Sequence, residues 1–174
     1  MKKFSYALLA TLITVSTAFA YFAGAWKVKG DDYEVRFVGG NIKGTIKGLK
    51  TDIVFDKDHP EQAKLSASID ATTLATGFFI KTNHAKDALG ADENPLIKFV
   101  STSVTKSGNG YIATGKLTLR GTTKPAAIHF TFDDKGNDGV FKGELKVIPK
   151  DFNITRMGTP DEVMVYLNVP VTKA

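Results

Sequence analysis

From Val163 to Val171 every second residue is a branched aliphatic: Val163, Val165, Leu167, Val169 and Val171 share one parity, and the pattern runs on to Lys173. A period of two buries one face of an extended strand and leaves the other outward; a helix cannot satisfy it. The same period recurs along the chain. Trp26 and Val28 show it, as do Tyr33, Val35 and Phe37, then Leu65, Ala67 and Ile69, and Ile97 with Phe99. Leu117 and Leu119 alternate with Thr118 and Arg120, Ile128 with Phe130 and Phe132, and Phe141 with Leu145 and Val147. Between these runs lies turn chemistry: Gly30-Asp31-Asp32, Gly39-Gly40-Asn41, Asp56 to Pro60, Thr76-Gly77, Ser107 to Gly110, and Asp133 to Gly139. About eight to ten short strands spaced this way predict an antiparallel barrel or sandwich.

Finer expectations follow. Trp26 to Phe37 reads as a first short hairpin around Gly30-Asp31-Asp32. Gly121 ends the Leu117–Leu119 strand, and Thr122-Thr123-Lys124-Pro125 reads as a polar turn. Ile42, Gly44, Ile46 and Gly48 share a face, so the glycines predict a bend, a bulge or a close backbone approach, as at barrel corners. Phe78 to Asp92 lacks alternation, and Thr82 to Leu89 reads as a short helical insert. One helix and glycine corners favour the barrel. No βαβ alternation, dinucleotide fingerprint or fixed repeat is present.

The first twenty residues read as a secretory signal. Met1-Lys2-Lys3 is basic, Tyr6 to Phe19 is apolar and small, and Ala18-Phe19-Ala20 fits a cleavage site after Ala20, leaving residues 21–174 as one domain. Ala23-Gly24-Ala25 offers a second site. An uncleaved anchor is disfavoured by Thr11, Thr14, Ser16 and Thr17 within a short apolar run. The expected address is the periplasm, with no stable membrane anchor. The chain has no cysteine, which excludes disulfides, thiolate metal sites and lipid attachment through a cleavage-site Cys. The formal charge of +5 falls to +3 without Lys2 and Lys3, and the lysines are scattered, so no nucleic-acid surface is expected.

Chemistry is sparse. His59, His84 and His129 lack metal-ligand spacing. His59 sits in a polar loop, His129 on the outward parity of a strand, and His84 in the helical insert. The acid pairs Asp31-Asp32, Asp92-Glu93, Asp133-Asp134 and Asp161-Glu162 fall in turns. No nucleophile elbow appears. The expectation is a protein that is not an enzyme and has no cofactor or metal. What stands out is apolar bulk: twelve Phe beside three Met and one Trp. Phe37, Phe55, Phe99, Phe130 and Phe132 take the core parity. An eight-stranded barrel either fills with such side chains or holds one small ligand, and alternation leaves both open.

Gly115-Lys116-Leu117-Thr118-Leu119-Arg120-Gly121-Thr122-Thr123-Lys124-Pro125 resembles the G-x-L-T-x-R-G-x-T-K-P signature of the YceI family of bacterial periplasmic proteins. Weaker likenesses follow in order: Thr76-Gly77 with Lys81 and His84, Pro95 to Thr102, and Arg156 with Gly158. The resemblance runs from about Trp26 to the C-terminus. It implies a lipocalin-like, eight-stranded antiparallel barrel around a long apolar tunnel that binds a polyisoprenoid or similar long-chain lipid. On that basis the tail would contact Phe37, Phe55, Phe99, Leu117, Leu119, Phe130, Phe132, Leu145, Val165 and Leu167. Lys81, His84, Arg120 and Arg156 would be candidates for the headgroup, with Arg120 also readable as an outward clasp on the barrel's end. Departures fall near the helix: Lys81 stands where the family has Arg, Thr82 where it has Asp, and Ala85 where it has Leu, and the His84–Pro95 stretch is two residues short. The alternative function is a filled-core barrel acting as a stress-related periplasmic interaction protein. A homodimer stays open as the assembly.

Overall fold

The computed structural model describes residues 24–174; the expected signal segment lies outside them. The strands are β1 (Ala25–Val28), β2 (Glu34–Gly39), β3 (Ile42–Val54), β4 (Lys64–Ala75), β5 (Leu96–Ser107), β6 (Gly110–Leu119), β7 (Thr122–Lys135), β8 (Asp138–Val147) and β9 (Val163–Lys173). Among the described residues one α-helix, α1 (Phe79–Leu89), joins β4 to β5, and short 3-10 turns lie at Pro60–Gln62 and Pro149–Phe152. Neighbouring strands pair antiparallel in the order β3, β2, β9, β8, β7, β6, β5, β4, and a β3–β4 ladder closes the ring. The result is an eight-stranded antiparallel barrel, as the resemblance implies and as the glycine corners favour over a sandwich.

β1 and β2 are not a hairpin, contrary to the sequence expectation. They pair with the same two neighbours and run the same way. Trp26 to Val28 face Lys173 to Val171, and Glu34 to Val38 face Asn168 to Met164. On the other side, Trp26 faces Ile53 and Val35 faces Ile46. Together they fill one barrel position as an interrupted strand. The loop between them folds inward at Tyr33, which is buried and whose hydroxyl accepts the Leu49 N–H at 2.9 Å. Lys29, at the loop's start, pairs with Asp138 at 3.0 Å.

The turn after β6 also differs from expectation. Arg120 and Gly121 alone make it, at φ +49° and +69°. Positive φ at both central residues is the two-residue hairpin geometry that matches strand twist. Thr122 to Pro125 are therefore strand, with Pro125 opposite Lys116. β8 pairs with β7 only from Ile128 onward, so at Pro125 there is no ladder on the free side to interrupt.

The glycines of β3 answer the question the sequence left open. Gly44 is a close approach: a Cβ there would sit 2.7 Å from the Phe37 ring and 2.1 Å from the Ala75 carbonyl oxygen. Gly48 is at φ +76°, where the β3–β4 register slips between Lys47 and Lys50. Opposite the slip, Asp70 accepts both the N–H and the hydroxyl of Thr72, at 2.9 and 2.6 Å. α1 starts three residues before the expected Thr82. No helix among the described residues is long and apolar enough to cross a membrane.

Candidate ligand-binding site

The barrel interior has two unlike halves. At the end carrying β1, the β5–β6 hairpin and the β7–β8 hairpin, aromatic rings fill it. Phe55 is 1% exposed and meets Tyr111, Phe130, Phe132 and Phe141 edge-on at centroid distances of 5.0 to 5.5 Å. Trp26 packs on Phe132 at 5.0 Å and donates its indole N–H to the Phe55 carbonyl at 2.9 Å. Edge-to-face packing of this kind adds to the burial of each ring. This half is a plug.

The other half is hollow. A cavity of about 430 Å³ opens at the end that carries α1, the β2–β3 hairpin and the loop from Pro149 to Pro160. That size lies within the range of about 300–1,000 Å³ typical of small-molecule sites. Its wall is mainly apolar, with Ile46, Phe99, Ile128 and Val147 among the lining side chains and Lys98 of β5 among the polar ones, and among the described residues no Asp or Glu lines it. Gly115 lets the Phe99 ring lie across β6, since a Cβ there would come within 2.8 Å of the ring.

α1 covers part of the mouth with a single stripe. Lys81, His84, Ala85, Ala88 and Leu89 all line the cavity, at the i, i+3, i+4, i+7, i+8 spacing of one helix face. No residue of α1 is fully buried, so the helix is a light cover. It starts without a side-chain cap at Phe78, and the Thr82 hydroxyl instead accepts the Thr76 N–H at 3.0 Å. At its far end Gly90 takes the left-handed conformation, φ +58°, and closes the last turn on the Asp87 and Lys86 carbonyls.

Of the residues expected on the tail path, Phe37, Phe99, Leu117, Leu119, Leu145, Val165 and Leu167 line the cavity. Phe55, Phe130 and Phe132 do not; they belong to the plug, which blocks a through-going tunnel and leaves a blind pocket. Of the headgroup candidates, Lys81, His84 and Arg156 stand at the mouth. Arg156 pairs with Asp87 of α1 at 3.4 Å, and the Lys81 ammonium reaches the Asn41 carbonyl at 3.5 Å. Together they place the loop, the helix and the hairpin around one opening. Arg120 is outside it: its guanidinium donates to the Asn153 carbonyl, and its stem would lie 3.5 Å from a Cβ at Gly90. It ties the β6–β7 turn to the loop and to the end of α1. Leu49, Leu74, Pro149, Ile154 and Pro160 also line the cavity without having been singled out in the sequence. Pro149, Phe152 and Ile154 are buried in a stretch with no strand period, and apolar residues in a loop were the available signal.

A family model described as the YceI-like domain matches residues 26–172. The chain belongs to the YceI family. It is 31% identical over 133 residues to a UPF0312 protein of Serratia proteamaculans (strain 568), covering 71% of this chain and 69% of that one. It spans 64% of the length of the Protein YceI of Salmonella arizonae (strain ATCC BAA-731 / CDC346-86 / RSK2980), to which it is 33% identical. Among solved structures, BcnA of Burkholderia cenocepacia superposes with a TM-score of 0.76 at 25% identity, covering 84% of this chain and all of that one. A polyisoprenoid binding domain from Saccharophagus degradans, implicated in plant cell wall breakdown, superposes at 0.62 with 12% identity over 86% of this chain and 99% of that one. At that identity the likeness is one of fold.

Proposed function

We propose that the protein is a periplasmic binding protein that carries a polyisoprenoid or a similar long-chain amphiphile, without catalysis. The hydrocarbon chain lies in the hollow half of the barrel and the polar end meets Lys81, His84 and Arg156 at the mouth. The observation that carries this reading is the cavity itself: a mainly apolar blind pocket with no carboxylate among its described lining residues, Lys81, His84 and Arg156 at its opening, and Lys98 of β5 as its one further cation. Each methylene moved from water into such a wall contributes about 0.8 kcal/mol, so several enclosed carbons offset the cost of ordering a flexible chain. The expected secretory signal supports the periplasmic address, and the neighbour described as polyisoprenoid binding supports the ligand class. The side chains beside His84 on the cavity wall include Lys81 and Arg156 but no carboxylate to act as its partner, which favours binding over acid–base chemistry.

A filled-core barrel serving as an interaction protein is favoured by the aromatic plug and opposed by the hollow half. The test is uptake of a long-chain prenol presented in detergent, read by native mass spectrometry. One prenol per chain, displaced by Leu117→Trp within the cavity, is the expected result. No uptake by the unaltered protein would overturn the reading.

A further inference from the structure

Three large apolar side chains at the start of α1 serve neither the barrel nor the cavity. Phe78 is 67% exposed, Phe79 79% and Ile80 68%. None of them lines the cavity, and Phe78 precedes the helix without capping it. Met157, 99% exposed, lies on the loop that frames the same opening. Large exposed apolar groups gathered at one place mark an interaction surface.

The charge around them selects the partner. Lys81 follows Ile80 directly, and its ammonium lies 5.6 Å from the Phe78 ring. Lys43 is two residues beyond Asn41, whose carbonyl Lys81 reaches. The other charges of the rim are largely matched: Asp87 pairs with Arg156, Glu162 with Lys146, and Asp70 faces Lys86, which leaves Asp161 beside Lys43 and Lys81. Asp92 and Glu93 follow the opposite, C-terminal end of α1. A second copy docking here through a two-fold axis would set like-charged rims against each other. An anionic lipid surface meets both features, because apolar side chains enter the headgroup boundary while lysines pair with lipid charge.

We propose that the mouth end of the barrel docks reversibly on an anionic bilayer, with Phe78, Phe79 and Ile80 inserted and Lys81 and Lys43 against the headgroups. Docking is peripheral and weakens with salt, as exposed charges do. It rests on the carrier reading in one respect: a chain insoluble in water would then pass between membrane and cavity without crossing solvent.

The test uses the protein purified from its own host and vesicles of mixed anionic and zwitterionic phospholipid, with purely zwitterionic vesicles for comparison. The protein is expected to sediment with the anionic vesicles and to release as salt is raised. The double substitution Phe78→Ser and Phe79→Ser is expected to weaken vesicle binding at least ~10-fold. It should leave the melting temperature and prenol uptake from detergent as they were. Absence of vesicle binding, unchanged binding in the double variant, or a dimer seen by ultracentrifugation in the parent and lost in the double variant would each overturn the proposal. In the unaltered protein, no vesicle binding with prenol uptake kept rejects the docking face alone; no uptake with docking kept rejects the carrier reading alone.

Discussion

Phe37→Ala and Phe55→Ala are the same chemical change at nearly equal burial, 6% and 1% exposed, and the two halves of the barrel assign them different costs. Truncating a buried Phe costs about 3–5 kcal/mol, and the spread depends on how much packing is lost around the vacated space. Phe55 touches four other rings, each pair adding ~0.5–1.5 kcal/mol non-additively, so it belongs at the top of that range, about 5 kcal/mol. Phe37 lies over Gly44 and faces the cavity on its other side, where there are no atoms to lose, so it belongs near 3 kcal/mol. In a domain of this size a difference of about 2 kcal/mol separates the melting temperatures by roughly 4–8 °C. The assay is reversible urea and thermal unfolding of delipidated protein, with both variants beside the parent. A Phe37→Ala variant as costly as Phe55→Ala, or more so, would refute the division into plug and cavity.

Other outcomes follow from single contacts. Arg120→Gly should cost less than Arg120→Ala, because both lose the bond to the Asn153 carbonyl but only alanine keeps a Cβ at φ +49°, a penalty of about 1 kcal/mol read by urea titration. Hydrogen bonds from Lys29 and then from Thr172 hold the Asp138 carboxyl below its ordinary range, so its contribution is present above the unfolded value of about 3.9 and is lost as pH falls through the depressed folded one. Melting temperature against pH should therefore show Asp138→Asn below the parent at neutral pH and converging with it in acid; curves that stay parallel would contradict the assignment. Asp70, held down by the Thr72 hydroxyl and N–H, predicts the same sign for Asp70→Asn. Leu117→Trp should reduce prenol uptake ~10-fold or more by filling the cavity, with little loss of stability, as native mass spectrometry would show.

The strands were legible wherever one face is buried, because a slip of one residue would turn the whole apolar set outward. That is why Val163–Lys173 is both the cleanest pattern and a full strand. The interrupted strand was not legible, since Gly30-Asp31-Asp32 has the same turn chemistry in a hairpin as in an inward loop. Only the distant partners in β3 and β9 decide between them. Arg120 hid the two-residue turn, because an arginine at positive φ is uncommon and gives no local signal. Parity told inside from outside but carried no information on depth along the barrel axis. Phe130 and Leu117 therefore looked alike, although one is in the plug and the other on the cavity wall. The mouth was the least readable part, because the apolar residues of the Pro149–Pro160 loop follow no period and Phe78–Ile80 point away from any core.

Native mass spectrometry of protein purified from its own host, followed by solvent extraction of whatever is bound, tests the central claim most directly. The account predicts a mass excess of one long-chain amphiphile per chain, extracted as a prenyl or similar lipid and lost in Leu117→Trp. A protein that emerges at its bare mass, and stays there after exposure to prenol, would contradict it.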